Sequence, residues 1–216
     1  IMTGLPGYLV VLFLMQLLWW FGIHGPNVMG AVTSPFMTKM MATNLALYQA
    51  GEGVSASGVF YQAGSPYSII ASPFEAGWRC PTGSGITGGL IIAVLLFSKR
   101  DDFKAIAKLA IPCGIFNINE PIIFGIPMVM NPMFAVPFFL APIACASLGY
   151  LVQYLGLCPL FVISVPWTTP VGLFGFLASS GNIMGGIWQA VIIIAASTLI
   201  YTPFVIASNR QKEVAA

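Results

Sequence analysis

Long apolar segments separated by short polar or glycine-rich stretches form the main pattern along the chain. The first segment, Leu5 to Ile23, contains no charged residue. As an α-helix its residues would extend about 28 Å, close to the hydrocarbon thickness of a bilayer. Met133 to Leu155 and Ile187 to Ile206 are of the same kind. The pattern therefore predicts long apolar helices, the first of which spans a membrane.

The segments between these helices have a different character. Val28 to Tyr48 places methionines beside threonines, serine, lysine and asparagine, a mixture that is typical of an amphipathic helix. Ala50 to Gly64 is polar and rich in glycine, which predicts a loop.

Three stretches contain too many prolines and glycines for uninterrupted helices. Pro66 to Pro81, followed by the Gly83-Ser84-Gly85 tip, predicts a re-entrant hairpin that continues as an apolar helix over Ile86 to Phe97. Residues 105–131 predict a second re-entrant hairpin with Asn-Glu-Pro at its buried turn, since prolines remove backbone donors near the middle of the segment. Pro159 to Asn182 is a further broken stretch.

The amino-acid composition, together with this pattern, indicates the fold class. Of the 216 residues 58% are apolar and only 6% are charged, whereas soluble domains carry about 25% charged residues. We therefore expect an all-α integral membrane protein, a single membrane domain over residues 1–216 with transmembrane helices and two re-entrant helical hairpins. The net charge of +2 is too small to indicate a nucleic-acid partner. The four cysteines form no metal-binding or disulfide pattern and are interpreted as small apolar residues.

Six of the fourteen charges lie within residues 99–108, and this segment is interpreted as a solvated loop. Its basic excess, together with Arg210 and Lys212 near the other end, predicts that both regions lie on the cytoplasmic side.

Two ionisable residues stand out in the apolar part of the chain. Glu120 is the single charge between Lys108 and Arg210, and His24 is the only histidine. A carboxylate in the membrane is costly and is usually functional. The alternative is that Glu120 is protonated or bonded by local amides, and that His24 is a boundary residue beside tryptophans.

A polar site made from two helix breaks would suit a sugar. Gly22, Gly25 and Pro26 interrupt the chain around His24, as prolines do around Glu120. The aromatic faces of Trp20 and Trp167 would contact the apolar face of a sugar ring, and amide or carboxylate groups would bind its hydroxyls.

Four motifs carry a resemblance to a known family. The blocks Phe21-Gly-Ile-His-Gly25, Gly114-Ile-Phe-Asn-Ile-Asn-Glu-Pro-Ile-Ile-Phe-Gly125, Met130-Asn-Pro132 and Pro166-Trp-Thr-Thr-Pro170 resemble the sugar-translocating IIC component of the bacterial phosphotransferase system, lactose/cellobiose (chitobiose) family. The similarity runs through the whole chain in order. Family members have a further set of membrane helices in front, so the chain resembles their carboxyl-terminal half.

This resemblance implies a function and partners. The protein would be a multi-pass permease of the bacterial plasma membrane that carries a β-linked disaccharide such as cellobiose, chitobiose or lactose. A separate cytoplasmic IIB phosphoprotein, charged through IIA and HPr, would phosphorylate the sugar, and the full-length permease would be a homodimer in lipid. No cofactor and no metal are expected. Because the phosphoryl donor belongs to IIB, the enzyme status of the chain itself stays open.

The resemblance also implies roles for individual residues. Glu120 would accept a hydrogen bond from the acceptor hydroxyl and act as general base, and His24 would orient that hydroxyl or meet the phosphoryl group. Asn119, Asn27 and Trp167 would contact the sugar.

The segment Glu75 to Thr87 departs from the family pattern. Ser84, Gly85 and Thr87 fit the small-residue tip of the family, but Arg79 and Pro81-Thr82 do not, and Ala76 stands where the family has aspartate. The role of the first hairpin and the sugar preference are therefore open.

Other functions compete with a permease of the phosphotransferase system. An ion-coupled sugar carrier would use Glu120 as a proton site, and a truncated remnant would insert without transporting. A hydrolase using Ser84 with His24 has only a weak Gly-Ser-Gly signal.

Overall fold

The computed structural model describes residues 4–56 and 58–210, and this part of the chain is mostly helical. One two-stranded antiparallel hairpin, with Val54 opposite Val59, interrupts the helices. The elements in chain order are α1 Leu5–Trp20, α2 Gly25–Gln49, β1 Val54–Ser55, β2 Gly58–Val59, α3 Ser72–Trp78, α4 Gly88–Phe97, α5 Asp101–Ile115, α6 Glu120–Gly125, α7 Pro132–Tyr154, α8 Leu173–Ala178, α9 Ile183–Val191, a π-helical segment Ile192–Ala196, and α10 Ser197–Ser208.

Two of the described helices are long and apolar enough to cross a membrane. They are α7, with 23 residues, and the continuous run Ile183–Ser208, with 26 residues, and they confirm the long apolar helices predicted there. α1 is shorter than predicted because it ends at Trp20 rather than at Ile23. Gly22 adopts a left-handed φ of 81°, and the chain turns there instead of continuing as helix.

The start of α2 is set by the sequence His24-Gly-Pro, three residues before the predicted start. Nδ1 of His24 accepts a hydrogen bond from the backbone N–H of Asn27 at 3.2 Å, which satisfies a donor of the first turn. Pro26 suits the first turn because it has no N–H to satisfy. A Cβ on Gly25 would lie 1.9 Å from the carbonyl oxygen of Met15, so glycine allows α2 to begin directly against α1.

Both predicted hairpins contain a helix, a turn and a second helix. In the first, α3 and α4 flank a turn in which Thr82 and Ile86 have positive φ. In the second, α5 ends at Ile115 and α6 begins at Glu120. These breaks agree with the predicted positions of the two turns, while re-entry into a membrane stays a prediction.

The charged segment 99–108 is not a loop, since α5 begins at Asp101 and includes the rest of the segment. Asp101 and Asp102 occupy its first turn, where carboxylates are favoured by the helix dipole. Arg100 also donates from Nε to Asp102 at 3.1 Å, and this hydrogen bond lowers the pKa of the Asp102 carboxyl. The cytoplasmic placement stays a prediction, and Lys212 lies outside the described residues.

Two apolar clusters hold the helices together. The first contains Tyr8, Phe74, Trp78 and Phe161, and the Trp78 and Phe161 rings stack with centroids 5.4 Å apart. The second is built from α4, α5, α7 and α10 around residues such as Phe138. The predicted break over residues 159–182 is confirmed, since α8 is its only helix among the described residues. The first cluster fixes α3, and the second fixes the frame that carries the turn between α5 and α6.

Candidate functional site

A single cavity brings together most of the residues that the sequence predicts for the site. Its volume is about 1050 Å³, and its lining includes His24, Asn27, Asn119, Glu120 and Trp167. These residues come from the start of α2, the turn between α5 and α6, and the segment before α8. The structure thus joins three segments that are distant in sequence.

His24 presents one ring nitrogen to the backbone and leaves the other available. Nδ1 accepts from the Asn27 N–H, so a neutral imidazole carries its proton on Nε2. The ring packs on Trp19 with centroids 4.8 Å apart and planes at 53°. His24 is therefore oriented by both neighbours and can donate a hydrogen bond from Nε2.

Glu120 is the first residue of α6, and its carboxylate has no hydrogen bond or ion pair within residues 4–56 and 58–210. Its side chain is exposed, whereas Asn117 and Asn119 in the same turn are buried. The turn is therefore buried at its asparagines and open at Glu120, and its burial within the membrane stays a prediction. As an acceptor-only group lining the cavity, Glu120 can take a hydrogen bond or a proton from a ligand.

Asn119 ties the turn to the glycine-rich tip of the other hairpin. Its Nδ2 donates to the carbonyl oxygen of Ser84 and to Oγ1 of Thr87 at 3.1 Å. The tip approaches so closely that a Cβ on Gly83 would lie 2.2 Å from Cγ of Asn119. The amide hydrogens of Asn119 are thus used within the protein, and its position fixes the adjacent Glu120.

Asn117 joins the same turn to two further segments. Its Oδ1 accepts from the backbone N–H of Thr82 at 2.6 Å. Its Nδ2 donates to the carbonyl oxygens of Trp167 and Thr169, the latter at 2.9 Å. Asn117 was not among the predicted site residues, although it lies two residues before Asn119 in the same sequence block. This residue sets the backbone that presents Trp167.

The two tryptophans predicted to contact sugar have different positions. Trp167 is 53% exposed and lines the cavity. Trp20 does not line it, because its ring packs near Phe139, with centroids 6.4 Å apart. Its Nε1 lies 3.5 Å from the carbonyl oxygen of Asn131. The neighbouring Trp19 lines the cavity instead, since consecutive helical residues face different directions.

One wall of the cavity carries an ion pair that the sequence analysis did not assign to the site. Glu75 and Arg79 line the cavity from α3 and the residue after it. Nε of Arg79 lies 3.0 Å from Oε1 of Glu75. Opposite charges four residues apart on a short apolar helix were the available signal, because such side chains meet on one face.

The described residues contain no cluster of three or more histidine, cysteine, aspartate or glutamate side chains that could hold a metal ion. The polar groups of the residues that line the cavity are amides, hydroxyls, indole N–H groups, one thiol, one imidazole, two carboxylates and one guanidinium. This set can bind a neutral ligand with many hydroxyls and can move a proton at Glu120.

The family model described as "Phosphotransferase system, EIIC" matches residues 1–142. The chain belongs to this EIIC family. Two relatives are the lichenan permease IIC component of Bacillus subtilis strain 168 and the lactose-specific EIICB component of Staphylococcus aureus. The first is 38% identical over 210 residues, covering 97% of this chain and 44% of the relative. The second is 31% identical over 210 residues, covering 93% of this chain and 33% of the relative.

A solved structure of an EIIC protein has the same fold. The crystal structure of ChbC, the IIC component of the N,N′-diacetylchitobiose-specific phosphotransferase system, matches with a TM-score of 0.87 and 34% identity. The match covers 98% of this chain and 46% of ChbC. This EIIC chain thus spans less than half the length of the relatives that it matches. EIIC permeases are membrane proteins, and α7 and the run from α9 to α10 are the helices long enough to cross a membrane.

Proposed function

We propose that this EIIC chain carries a β-linked disaccharide across the bacterial plasma membrane and presents its 6-hydroxyl for phosphorylation. The observation that carries the proposal is the convergence of His24, Glu120 and Trp167 on one polar cavity of about 1050 Å³. The cavity is at the upper end of the size of small-molecule sites, about 300 to 1,000 Å³. The names of the relatives, which concern lichenan, lactose and N,N′-diacetylchitobiose, support a sugar of this class.

The acceptor hydroxyl binds between Glu120 and His24. The imidazole donates from Nε2 to the hydroxyl oxygen, and the carboxylate accepts the hydroxyl hydrogen. When the phosphocysteine of IIB arrives, the hydroxyl oxygen attacks phosphorus and the sulfur–phosphorus bond breaks. The proton passes to Glu120, and the cysteine leaves as a thiolate.

Other cavity residues hold the sugar in place. Trp167 offers an exposed aromatic face to a sugar ring, and Trp19 takes the place that the sequence analysis gave to Trp20. The side chain of Asn27 lines the cavity beside His24 and can bind a hydroxyl. Asn119 contributes mainly by holding Glu120, because its amide hydrogens are already bonded.

The chain works with partners in the membrane and the cytoplasm. The EIICB name of the lactose-specific relative supports IIB as the direct phosphoryl donor, with IIA and HPr upstream. The intact permease is a multi-pass homodimer in lipid, with the start of α5 on the cytoplasmic side. Residues 105–131 and the segment around Gly83 form its two re-entrant hairpins.

Glu120→Gln tests this proposal in membrane vesicles that contain the intact protein with IIB, IIA and HPr. Removing the base should reduce phosphoenolpyruvate-dependent phosphorylation of the sugar at least about 100-fold and leave sugar binding partly intact. Phosphorylation at the unaltered rate would refute the role of Glu120. Sugar uptake that follows a proton gradient and needs no phosphoenolpyruvate would refute the function itself and favour an ion-coupled carrier.

A further inference from the structure

The face of α3 that lines the cavity is distinct from the end that carries His24 and Glu120. Ser72, Glu75, Ala76 and Arg79 all line the cavity, and their spacing places them on one side of a helix. This face is the α3 wall. It combines a hydroxyl, a carboxylate and a guanidinium in an otherwise apolar segment.

The α3 wall extends away from the phosphorylation end. Phe74 on α3 contacts the ring of Tyr8 with centroids 5.6 Å apart, and Tyr8 precedes Trp19 on α1 by about 16 Å at 1.5 Å per residue. His24 packs on Trp19, at the opposite end of α1. The contact with Tyr8 therefore places the start of the α3 wall far from His24.

The helix that faces the α3 wall, α2, lines the cavity over a similar length. Asn27 and Thr38 on α2 both line the cavity, and they are about 16 Å apart along the helix. Asn44, further along α2, accepts from the backbone N–H of Ser68 at 2.9 Å and donates to its carbonyl oxygen at 2.7 Å. These bonds hold the chain that enters α3 against the far part of α2. The cavity is thus elongated, with a phosphorylation end and a remote end.

Arg79 has donors that the protein does not use. Its side chain is 9% exposed, and Nε and Nη1 are buried without a hydrogen-bond partner among the described residues. The 3.0 Å contact between Nε and Oε1 of Glu75 is an ion pair, and Nη1 has neither an ion-pair nor a hydrogen-bond acceptor among the described residues. Buried donors without acceptors cost free energy, so an acceptor on a ligand in the cavity would be favourable.

The ion pair also determines the kind of ligand. A carboxylate only accepts hydrogen bonds and a guanidinium only donates them, so the two groups together suit neighbouring hydroxyls on one ring. The charges of Glu75 and Arg79 cancel. The carboxylate of Glu120 then gives the cavity wall a net negative charge. A neutral ring is therefore favoured over one that carries a carboxylate.

We propose that Glu75 and Arg79 select the substrate by binding hydroxyls of the sugar ring that is not phosphorylated. This inference rests on the proposed function and adds a second subsite to it. The pair binds the remote ring, and His24 with Glu120 acts on the acceptor ring.

Sugar binding to the intact purified protein tests the proposal. The probe is whichever of cellobiose, lactose and N,N′-diacetylchitobiose the unaltered protein binds most tightly. Arg79→Met and Glu75→Gln should each weaken its binding roughly 10- to 100-fold, the loss of one hydrogen bond to a charged group. Arg100→Met is the matched control, since Arg100 is also buried and paired with a carboxylate but does not line the cavity. Sugar binding to Arg100→Met should be unchanged.

Monodeoxy analogues of the same sugar separate recognition from structure. Removing one hydroxyl of the remote ring should weaken binding to the unaltered protein at least about tenfold, and should have no further effect in Arg79→Met or Glu75→Gln. If every remote-ring analogue lost the same affinity in all three proteins, the proposal would be overturned.

The charge-exchanged variant Glu75→Arg/Arg79→Glu provides an independent check. It restores an ion pair but exchanges the positions of the donor and the acceptor. The folded variant should therefore still bind the sugar weakly, as the single variants do. Binding at the unaltered affinity would show that the pair is only structural and would overturn the proposal. If this variant does not fold, the analogue series decides. Failure of the proposed function is distinguished because the unaltered protein would then show no phosphoenolpyruvate-dependent phosphorylation.

Discussion

The turn between α5 and α6 and the α3 wall line the same cavity but satisfy their polar groups in different ways. In the turn, Asn117 and Asn119 use their side chains to bond backbone and hydroxyl groups of other segments. On the α3 wall, Glu75 and Arg79 pair with each other, and two nitrogens of Arg79 have no hydrogen-bond acceptor among the described residues.

This difference indicates that the turn and the α3 wall have different roles. Proton transfer requires a base held within a few tenths of an ångström, and the bonded asparagines provide that frame next to Glu120. Selection among sugars requires groups that form their bonds only when the ligand is present. The α3 wall has such groups, whereas the turn has used most of its own.

The largest expected effect on stability is at the turn. Asn117→Leu removes three hydrogen bonds and leaves the partly buried N–H of Thr82 without its acceptor, which should lower the free energy of unfolding by about 3 kcal/mol. Phe116→Leu is the control, since Phe116 is 52% exposed and its change should cost less than about 1 kcal/mol. Thermal unfolding of the purified protein measures both. Equal stability of the two variants would contradict the view of the turn as a frame.

A smaller effect is expected at the tip that contacts the turn. Gly83→Ala introduces a Cβ 2.2 Å from Cγ of Asn119 at a position with φ of 88°, and both features are unfavourable. Gly64→Ala is a matched control, because Gly64 has φ of 86° and nothing within 4 Å of its Cβ position. Gly83→Ala should lower the phosphorylation rate about tenfold or more through displacement of Glu120, and Gly64→Ala should not. If the two variants behaved alike, backbone strain and not the contact with Asn119 would be responsible.

The smallest effect concerns the aromatic face of the cavity. Trp167→Leu should weaken sugar binding about fivefold, since ring contacts contribute on the order of 1 kcal/mol. Trp20→Leu should leave binding unchanged, because Trp20 packs against Phe139 outside the cavity. Equilibrium binding of the disaccharide compares the two variants. A greater loss for Trp20→Leu would reverse the assignment made from the structure.

The features that could be predicted from the sequence are those with local causes. Apolar runs give the long helices, and prolines around Glu120 give the break in the second hairpin. The prediction of a loop over residues 99–108 is wrong, because charged residues indicate contact with solvent but do not exclude a helix. Asp101 and Asp102 in fact favour the start of a helix at that point.

The rest of the site depends on contacts between distant segments. The ion pair of Glu75 with Arg79 can be read from its spacing, but its place in the same cavity as Glu120 follows only from the packing of α2, α3 and the turn. The choice between Trp19 and Trp20 depends on a single step of about 100° around α1. No pattern of apolar and polar residues distinguishes the two, because Gln16 and Tyr8 are the only residues of this helix with a polar side-chain group besides the tryptophans themselves.

The most direct test of the central claim is a structure of the intact protein with a bound β-linked disaccharide. A sugar hydroxyl oxygen is expected at hydrogen-bond distance, about 2.6 to 3.2 Å, from both the Glu120 carboxylate and Nε2 of His24. A sugar bound outside the cavity, or one whose hydroxyls contact neither group, would contradict the claim.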